Sequence, residues 1–141
     1  MDEFLYFHII IGDSCYLDNF FLIKTFLFQN MLKIIRFTFI ASLFLVFFLS
    51  IVPASTIPNF AILSVLSDKL VHALIYFFLG YIGLLSRFEI SEIFLVFLIF
   101  IFGLIIEIIH FFHPYRYFEN LDLLANSIGV TIALLIFRLK K

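Results

Sequence analysis

The sequence has few charged residues and no tryptophan. Of its 141 residues, 13% are Asp, Glu, Lys or Arg, whereas 65% are hydrophobic and 23 are phenylalanine. A water-soluble domain of this length could not cover so much apolar surface with so few polar groups. In a bilayer the same composition is expected, because lipid solvates the outward-facing apolar side chains. The composition therefore indicates an integral membrane protein.

Cysteines and basic clusters are also scarce, and each absence excludes a class of site. Cys15 is the single cysteine, so the sequence offers neither an internal disulfide nor a multi-cysteine metal cluster. The lysines and arginines flank apolar runs and form no basic stripe. We therefore expect no nucleic acid partner, because such a partner requires a basic surface. We expect no cofactor.

Four apolar runs are long enough, or nearly so, to cross a membrane as helices. A hydrocarbon core of roughly 30 Å takes about 20 helical residues. Short connections between the runs make consecutive spans antiparallel neighbours. The sequence therefore predicts an all-α, integral membrane protein folded as a four-transmembrane-helix bundle. The runs cover residues 34–52, 70–86, 93–112 and 121–137.

The lysines and arginines beside the spans predict the orientation of the bundle. Cytoplasmic loops carry an excess of these residues. If the N-terminus is cytoplasmic, the outside receives only Lys69 and Arg116. We therefore expect both termini to be cytoplasmic. The basic residues then on the inside are Lys24, Lys33, Arg36, Arg87, Arg138, Lys140 and Lys141.

Residues 1–30 differ from the sequence that follows. The apolar stretch 4–11 is too short to span, and Gly12 and several polar residues interrupt its pattern. From Met31 the sequence MLKIIRFTFIASLFLVFF reads as a basic start followed by a span. We therefore expect Met31 to be the natural initiator and residues 31–141 to form the membrane domain. The alternatives are a peripheral segment on the membrane surface and, less favoured, a cleaved signal peptide in the first span.

Polar side chains recur at helical spacing in the last three spans. Residues three or four positions apart share one face of a helix, so each span presents a polar face. The expected topology places all three faces at the extracytoplasmic side of the membrane. The positions are Asp68, His72 and Tyr76 in the second span, Glu107 and His110 in the third, and Asp122 and Asn126 in the fourth.

Charge within a span is costly, by about 2 to 3 kcal/mol on insertion scales. Such a side chain is expected to face the bundle interior and to find a partner there. Glu107 is the deepest acid, and we expect it to be protonated or paired with Arg116 or His72. Glu107 lies too far inside the span to cap a helix or to anchor the span at the membrane interface. Neither of these structural roles therefore accounts for it.

Simpler roles stay open for the other polar residues. Asp68 could cap the second helix, and Lys69 could extend its ammonium to the lipid headgroups. Asp122 and Asn126 could be satisfied by backbone amides in the first turn of the fourth helix. Tyr76 could be an interfacial aromatic residue. The common membrane side of these residues favours a site.

The ordered motifs resemble the VanZ-like family of small bacterial membrane proteins over residues 34–137. The stretches DKLVHALIYFFLG and GLIIEIIHFFHPYRYFENLDLLANSIG carry the resemblance. The family shows Asp-Lys-x-x-His leading into one span, Glu-x-x-Gln ending the next, an Arg in the following loop, and Asp-x-x-x-Asn with a Gly opening the last. His110 departs from this pattern, since the family usually has Gln there. The matching positions are Asp68, Lys69, His72, Glu107, Arg116, Asp122, Asn126 and Gly129.

The resemblance implies a multi-pass protein of the bacterial plasma (inner) membrane that acts on the cell envelope. The family is named after a protein associated with resistance to the glycopeptide teicoplanin. We expect membrane lipid as a partner and a lipid-linked envelope precursor as the ligand. In this interpretation His72 is the general acid or base, oriented by Asp68 or Glu107, and Arg116 and Lys69 hold a phosphate or carboxylate. The remaining binding residues would be Asp122, Asn126, His110 and Tyr76.

Two other kinds of function stay open. A non-enzymatic structural or accessory protein could use the same polar network to fix helix packing or to dock a partner. A metal site is less favoured: Glu107-x-x-His110 is similar to an element of di-iron bundles, but the Gln usual in the family at position 110 is a poor ligand. We therefore expect no metal. The other residues that could complete a metal shell are His72, His113, Asp68 and Asp122.

The expected start at Met31 gives a direct prediction for the natural protein. Its intact mass should correspond to a chain that begins at Met31, because the segment from there has the form of a membrane-protein start. Mass spectrometry of protein isolated from its native membrane measures this. A peptide from residues 1–30 in that material would sink the hypothesis.

Overall fold

The fold is described by a computed structural model. It describes the backbone of residues 3–51, 65–112 and 119–141, and the side chains of residues 21–51, 68–112 and 119–141. The chain divides into two compact units, Met1–Ile34 and Ile35–Lys141.

The secondary structure of these ranges is helical. All four helices contain a segment long and apolar enough to cross a membrane, which indicates a multi-pass membrane protein. The prediction of an all-α chain with four spanning helices is confirmed at this level. The helices are α1 (Glu3–Ile51), α2 (Val65–Leu85), α3 (Glu92–Phe112) and α4 (Asn120–Leu139).

The largest difference from the predicted spans is the beginning of α1. The apolar pattern predicts a span from residue 34, whereas α1 begins at Glu3 and its membrane-crossing segment begins at Phe21. The sequence has no proline before Pro53, so nothing there removes a helical hydrogen bond. A lone Gly12 costs only about 1 kcal/mol relative to alanine. The polar interruptions therefore do not end the helix.

In the unit Ile35–Lys141, α2 and α4 form the most extensive helix pair. Small residues face each other along it, which lets the two backbones approach closely. A Cβ atom at Gly129 would overlap the carbonyl oxygen of Ala73 and lie 2.8 Å from the backbone nitrogen of Phe77. A Cβ atom at Gly80 would lie 3.0 Å from the Cβ of Ala133. Glycine is therefore required at position 129 by the close approach of a backbone.

An apolar core joins the second part of α1 to the other three helices. Phe39, Leu79, Ile99 and Val130 come from four different helices, and each is at most 5% exposed. The outward faces carry exposed apolar side chains, such as Phe44 at 71% exposure. That distribution is expected of helices bordered by lipid, because lipid takes the place of water around them.

The side chain of Arg36 caps the C-terminal end of α2. Its Nε donates a hydrogen bond to the carbonyl of Ser86 at 3.0 Å, and its Nη2 donates to the carbonyl of Arg87 at 3.0 Å. These carbonyls lie where the helix has run out of its own donors. The guanidinium also lies 5.4 Å from the ring centre of Phe88. Arg36 thereby holds α1 against the connection between α2 and α3.

The α2–α4 contact predicts an asymmetry between two glycines. Gly129→Ala should destabilise the fold by about 3 kcal/mol, the upper end of the usual range for overpacking, since its new methyl group meets backbone atoms that cannot move aside. Gly80→Ala should destabilise the fold less, because the nearest atom to its new methyl group belongs to the Ala133 side chain. Thermal unfolding of the purified variants in detergent measures both effects.

Second-site changes provide the control. Ala133→Gly should restore the stability of the Gly80→Ala variant, because it removes the Ala133 methyl group that the new methyl group at position 80 would contact. Ala73→Gly should not restore Gly129→Ala, because the overlap is with a carbonyl oxygen that remains. Restoration of Gly129→Ala by Ala73→Gly would contradict the backbone contact.

Candidate functional site

The Lys69 side chain connects α2 to the beginning of α4. Its Nζ donates to Oδ1 of Asp122 and to Oε2 of Glu119, and it lies 3.5 Å from Oδ2 of Asp68. The Lys69 side chain is 15% exposed and that of Asp122 is 9% exposed, so both charges are largely withdrawn from solvent. An isolated carboxylate at that burial would be costly. The ammonium therefore compensates the charge of Asp122 across the helix pair.

His72 lies on the other side of the same carboxylate. Its Nε2 is 3.7 Å from Oδ2 of Asp122, a distance too long for a hydrogen bond but suitable for an ion pair when the ring is protonated. The His72 side chain is 24% exposed, so a ligand can reach it. The two oxygens of Asp122 thus face a lysine and a histidine of α2.

The helix ends explain how these residues meet. α2 begins at Val65, so Asp68 lies inside its first turn and does not occupy the capping position considered from the sequence. Glu119 is the N-cap residue of α4, with φ −123° and ψ 114°, and its side chain makes no capping hydrogen bond. That side chain is therefore available to Lys69. Because α3 returns the chain between them, α2 and α4 run in the same direction, and the beginnings of these two helices lie side by side.

A second group of polar residues lies around Glu107 of α3. Nε2 of His110 is 3.1 Å from the carbonyl oxygen of Ser50 in α1, and Nδ1 of the same ring is 3.6 Å from Oε1 of Glu107. The backbone N–H of Glu119 donates to Oε2 of Glu107 at 3.4 Å. Glu107 therefore lies beside the histidine one turn away in its own helix, and its expected pairing with His72 is not among the described contacts. The other expected partner, Arg116, lies outside the described residues.

The contact with Ser50 fixes which nitrogen of His110 carries a hydrogen. A carbonyl oxygen can only accept, so Nε2 must be the donor. In a neutral ring Nδ1 is then an acceptor that faces the carboxyl group of Glu107. At 3.6 Å, that nitrogen makes no hydrogen bond to Oε1 of Glu107.

Two buried acceptor atoms remain without a donor among the described residues. Oε1 of Glu107 and Oδ1 of Asn126 have no hydrogen-bond partner there, although the two residues are 0% and 1% exposed. An unsatisfied buried polar atom costs about 1 to 3 kcal/mol. We call the following residues the polar cluster: Asp68, Lys69, His72, Glu107, His110, Glu119, Asp122 and Asn126.

Tyr76 belongs to the interior and not to the membrane interface. It is 3% exposed, and its ring lies against Gly103, where a Cβ atom would be 2.8 Å from the ring and 2.9 Å from the hydroxyl oxygen. It also lies within electrostatic range of Glu107. The aromatic residue thus closes the polar cluster on the side of the apolar core.

Part of the cluster has the composition of a metal site. Asp68, His72 and Asp122 offer ligand atoms that all lie within 4.8 Å of one another. Two carboxylates and an imidazole suit a divalent cation. The Lys69 ammonium contacts both of these carboxylates, so a cation would have to displace it. Of the other ligands considered from the sequence, Glu107 and His110 are not part of this group, and His113 lies outside the described residues.

Sequence reasoning missed two participants. The side chain of Glu119 binds Lys69, and the carbonyl of Ser50 accepts from His110. Glu119 could have been found, because it is an acid three residues before Asp122 at a helix start. The role of Ser50 leaves no trace in the sequence, since any residue supplies a carbonyl.

The VanZ-like positions can be compared with this geometry. All but Arg116 lie in described helices, and Gly129 serves close packing against α2. Comparison with protein-family models, with curated proteins and with solved structures finds no match. The family resemblance therefore stays a prediction based on its motif residues.

The pairing of Lys69 with Asp122 predicts the effect of removing the cation. Lys69→Met should lower the free energy of unfolding by about 1.5 to 3 kcal/mol, because it leaves a buried carboxylate without its charged donor. Adding Asp122→Asn should recover part of this loss, since an amide needs no counter-ion. Chemical unfolding in detergent micelles measures both. Equal stability of Lys69→Met and wild type would contradict the pairing.

Proposed function

We propose that the chain is a VanZ-like, multi-pass protein of the bacterial plasma membrane that binds a lipid-linked component of the cell envelope. Both termini would be cytoplasmic, and the polar cluster would lie at the extracytoplasmic side. The ligand's polar headgroup would occupy the cluster, while its lipid tail would remain among the exposed apolar side chains of the bundle.

The unsatisfied acceptors of Glu107 and Asn126 are the observation that carries this proposal. Each is buried and lacks a donor among the described residues. A headgroup with hydroxyl, amide or ammonium hydrogens would supply those donors and remove the cost of burying the acceptors. Envelope precursors that carry sugars or amino acids have such groups. A lipid-linked molecule would already lie at the membrane depth proposed for the cluster.

The proposal also includes a role in proton transfer for the accessible His72. His72 is partly exposed, and its Nε2 lies 3.7 Å from Oδ2 of Asp122. A histidine in this position can act as a general acid or base toward a bound headgroup. Lys69 already contacts carboxylates, so the expected anion-binding role falls more heavily on Arg116, outside the described residues. Binding is the primary claim, and proton transfer by His72 would follow from it.

A structural role is the second candidate, and specific contacts favour it. Lys69 joins α2 to α4, His110 joins α3 to α1, and Glu107 accepts from the backbone at the start of α4. Polar contacts of this kind stabilise membrane helix pairs by about 0.6 kcal/mol on average. In that account the cluster fixes helix packing or docks a partner without a ligand.

Asn126→Leu separates the two candidates. Leucine has a similar shape to asparagine, but the change removes an acceptor that has no described donor. The stability of the variant should therefore equal or exceed that of wild type. Lipid binding should be lost, because the acceptor for the headgroup is missing. Native mass spectrometry of protein purified in a mild detergent identifies the lipids that co-purify. Thermal unfolding of the same samples reports stability.

Thr131→Leu is the matched control on the same helix. Among the described residues, its hydroxyl donates within α4, to the carbonyl of Ser127 at 2.7 Å, and the residue is exposed. It should retain the lipid found with wild type. If Asn126→Leu retains the same lipid, or if wild type carries none, the binding proposal fails. A fall in stability of Asn126→Leu with unchanged lipid content would favour the structural role.

A further inference from the structure

We propose a second site, a pocket for the phosphate of an anionic phospholipid, at the opposite end of the bundle from the polar cluster. It lies where α2 ends, α3 begins and α4 ends. The polar cluster lies at the other end of each of these three helices. The two sites therefore face opposite surfaces of the membrane, and this inference does not depend on the proposed function.

The pocket is a cavity of 290 Å³ with an apolar wall and charged groups. Leu95 and Phe137 contribute to the apolar wall, and Arg87, Glu92 and Lys141 contribute the charges. Small-molecule sites combine an apolar lining with a few polar groups in this manner. A phosphate with its glycerol matches a cavity of this size and composition.

The charges around Glu92 leave a surplus of cations. Its Oε2 accepts from Nε of Arg138 at 3.3 Å, and its Oε1 accepts from Nζ of Lys141 at 2.7 Å. One carboxylate thus faces two cations. Arg87 also lines the cavity. A bound phosphate could form an ion pair with Lys141, while Glu92 remains paired with Arg138. The balance of charge in the pocket therefore favours an anion.

The position of the pocket favours a lipid over a soluble phosphate ester. Glu92 opens the membrane-crossing segment of α3, and Leu139 ends that of α4. Next to the pocket, Ile93 is 61% exposed and Leu139 is 86% exposed, as expected beside acyl chains. Basic pockets between helices at such a boundary bind anionic headgroups. The apolar wall would then contact the glycerol and the first methylene groups of the lipid.

Lys140 offers a matched control for Lys141. It is adjacent in sequence and carries the same charge, but its Nζ lies 3.3 Å from the hydroxyl of Tyr81 and 5.5 Å from the centre of that ring. Lys140 is not among the residues that line the cavity. A general attraction between basic residues and an anionic surface would treat the two lysines alike, whereas a built pocket distinguishes them.

The test compares phosphatidylglycerol with phosphatidylcholine by native mass spectrometry of the full chain released from mixed nanodiscs. Wild type should retain phosphatidylglycerol preferentially. Lys141→Gln should reduce that preference about fivefold or more, because it removes the cation that the pocket offers to the phosphate. Lys140→Gln should leave it unchanged, and Glu92→Gln should preserve or raise it because a competing carboxylate is lost. Arg87→Gln is a second loss variant if Lys141→Gln yields no folded protein.

Several results would overturn the proposal. Equal losses in Lys140→Gln and Lys141→Gln would show diffuse surface attraction and no pocket. An unchanged preference in both Lys141→Gln and Arg87→Gln would exclude the assigned residues. Displacement of phosphatidylglycerol by millimolar glycerol phosphate as readily as by added phosphatidylglycerol would identify a soluble ligand. Thermal unfolding of each variant confirms that a loss of lipid is not a loss of fold.

Discussion

The burial of Glu107 is the constraint on which the arrangement of the helices depends. The residue is 0% exposed in a helix apolar enough to cross a membrane, so its carboxyl group must be satisfied by protein or ligand. The backbone N–H of Glu119 at the start of α4 donates to one oxygen, and His110, 3.6 Å from the other oxygen, is itself fixed by a carbonyl of α1. Satisfying this one group therefore requires the ends of three helices to lie at the same level, and that level is where the polar cluster forms.

Close packing of α2 and α4 makes the rest of the cluster possible. Gly129 lets the backbone of α4 rest on that of α2, and about two helix turns away the pair Lys69 and Asp122 comes together. A larger residue at position 129 would separate the helices and weaken that ion pair. Apolar packing and buried charge thus depend on each other, so the site cannot be altered freely without affecting the fold.

The sequence predicts the helices well and their partners poorly. The last three spans and the polar faces of α2, α3 and α4 follow from hydropathy and from spacing, which are local properties. The position of His110 beside Glu107, the bond from His110 to Ser50 and the entry of Glu119 depend on where helix ends meet in space. The start of α1 differs from its prediction for another reason: isolated polar residues weaken an apolar pattern without breaking helical backbone.

Difference infrared spectroscopy of the Glu107 carboxyl group tests the central claim most directly. The spectrum of wild type minus Glu107→Gln isolates that group, and it is recorded for delipidated protein before and after addition of a polar-lipid extract from the native membrane. If Oε1 awaits a donor from a ligand, the carboxyl band should shift when the extract is added. An unchanged band, with lipid shown to be bound, would mean that Glu107 serves helix packing alone.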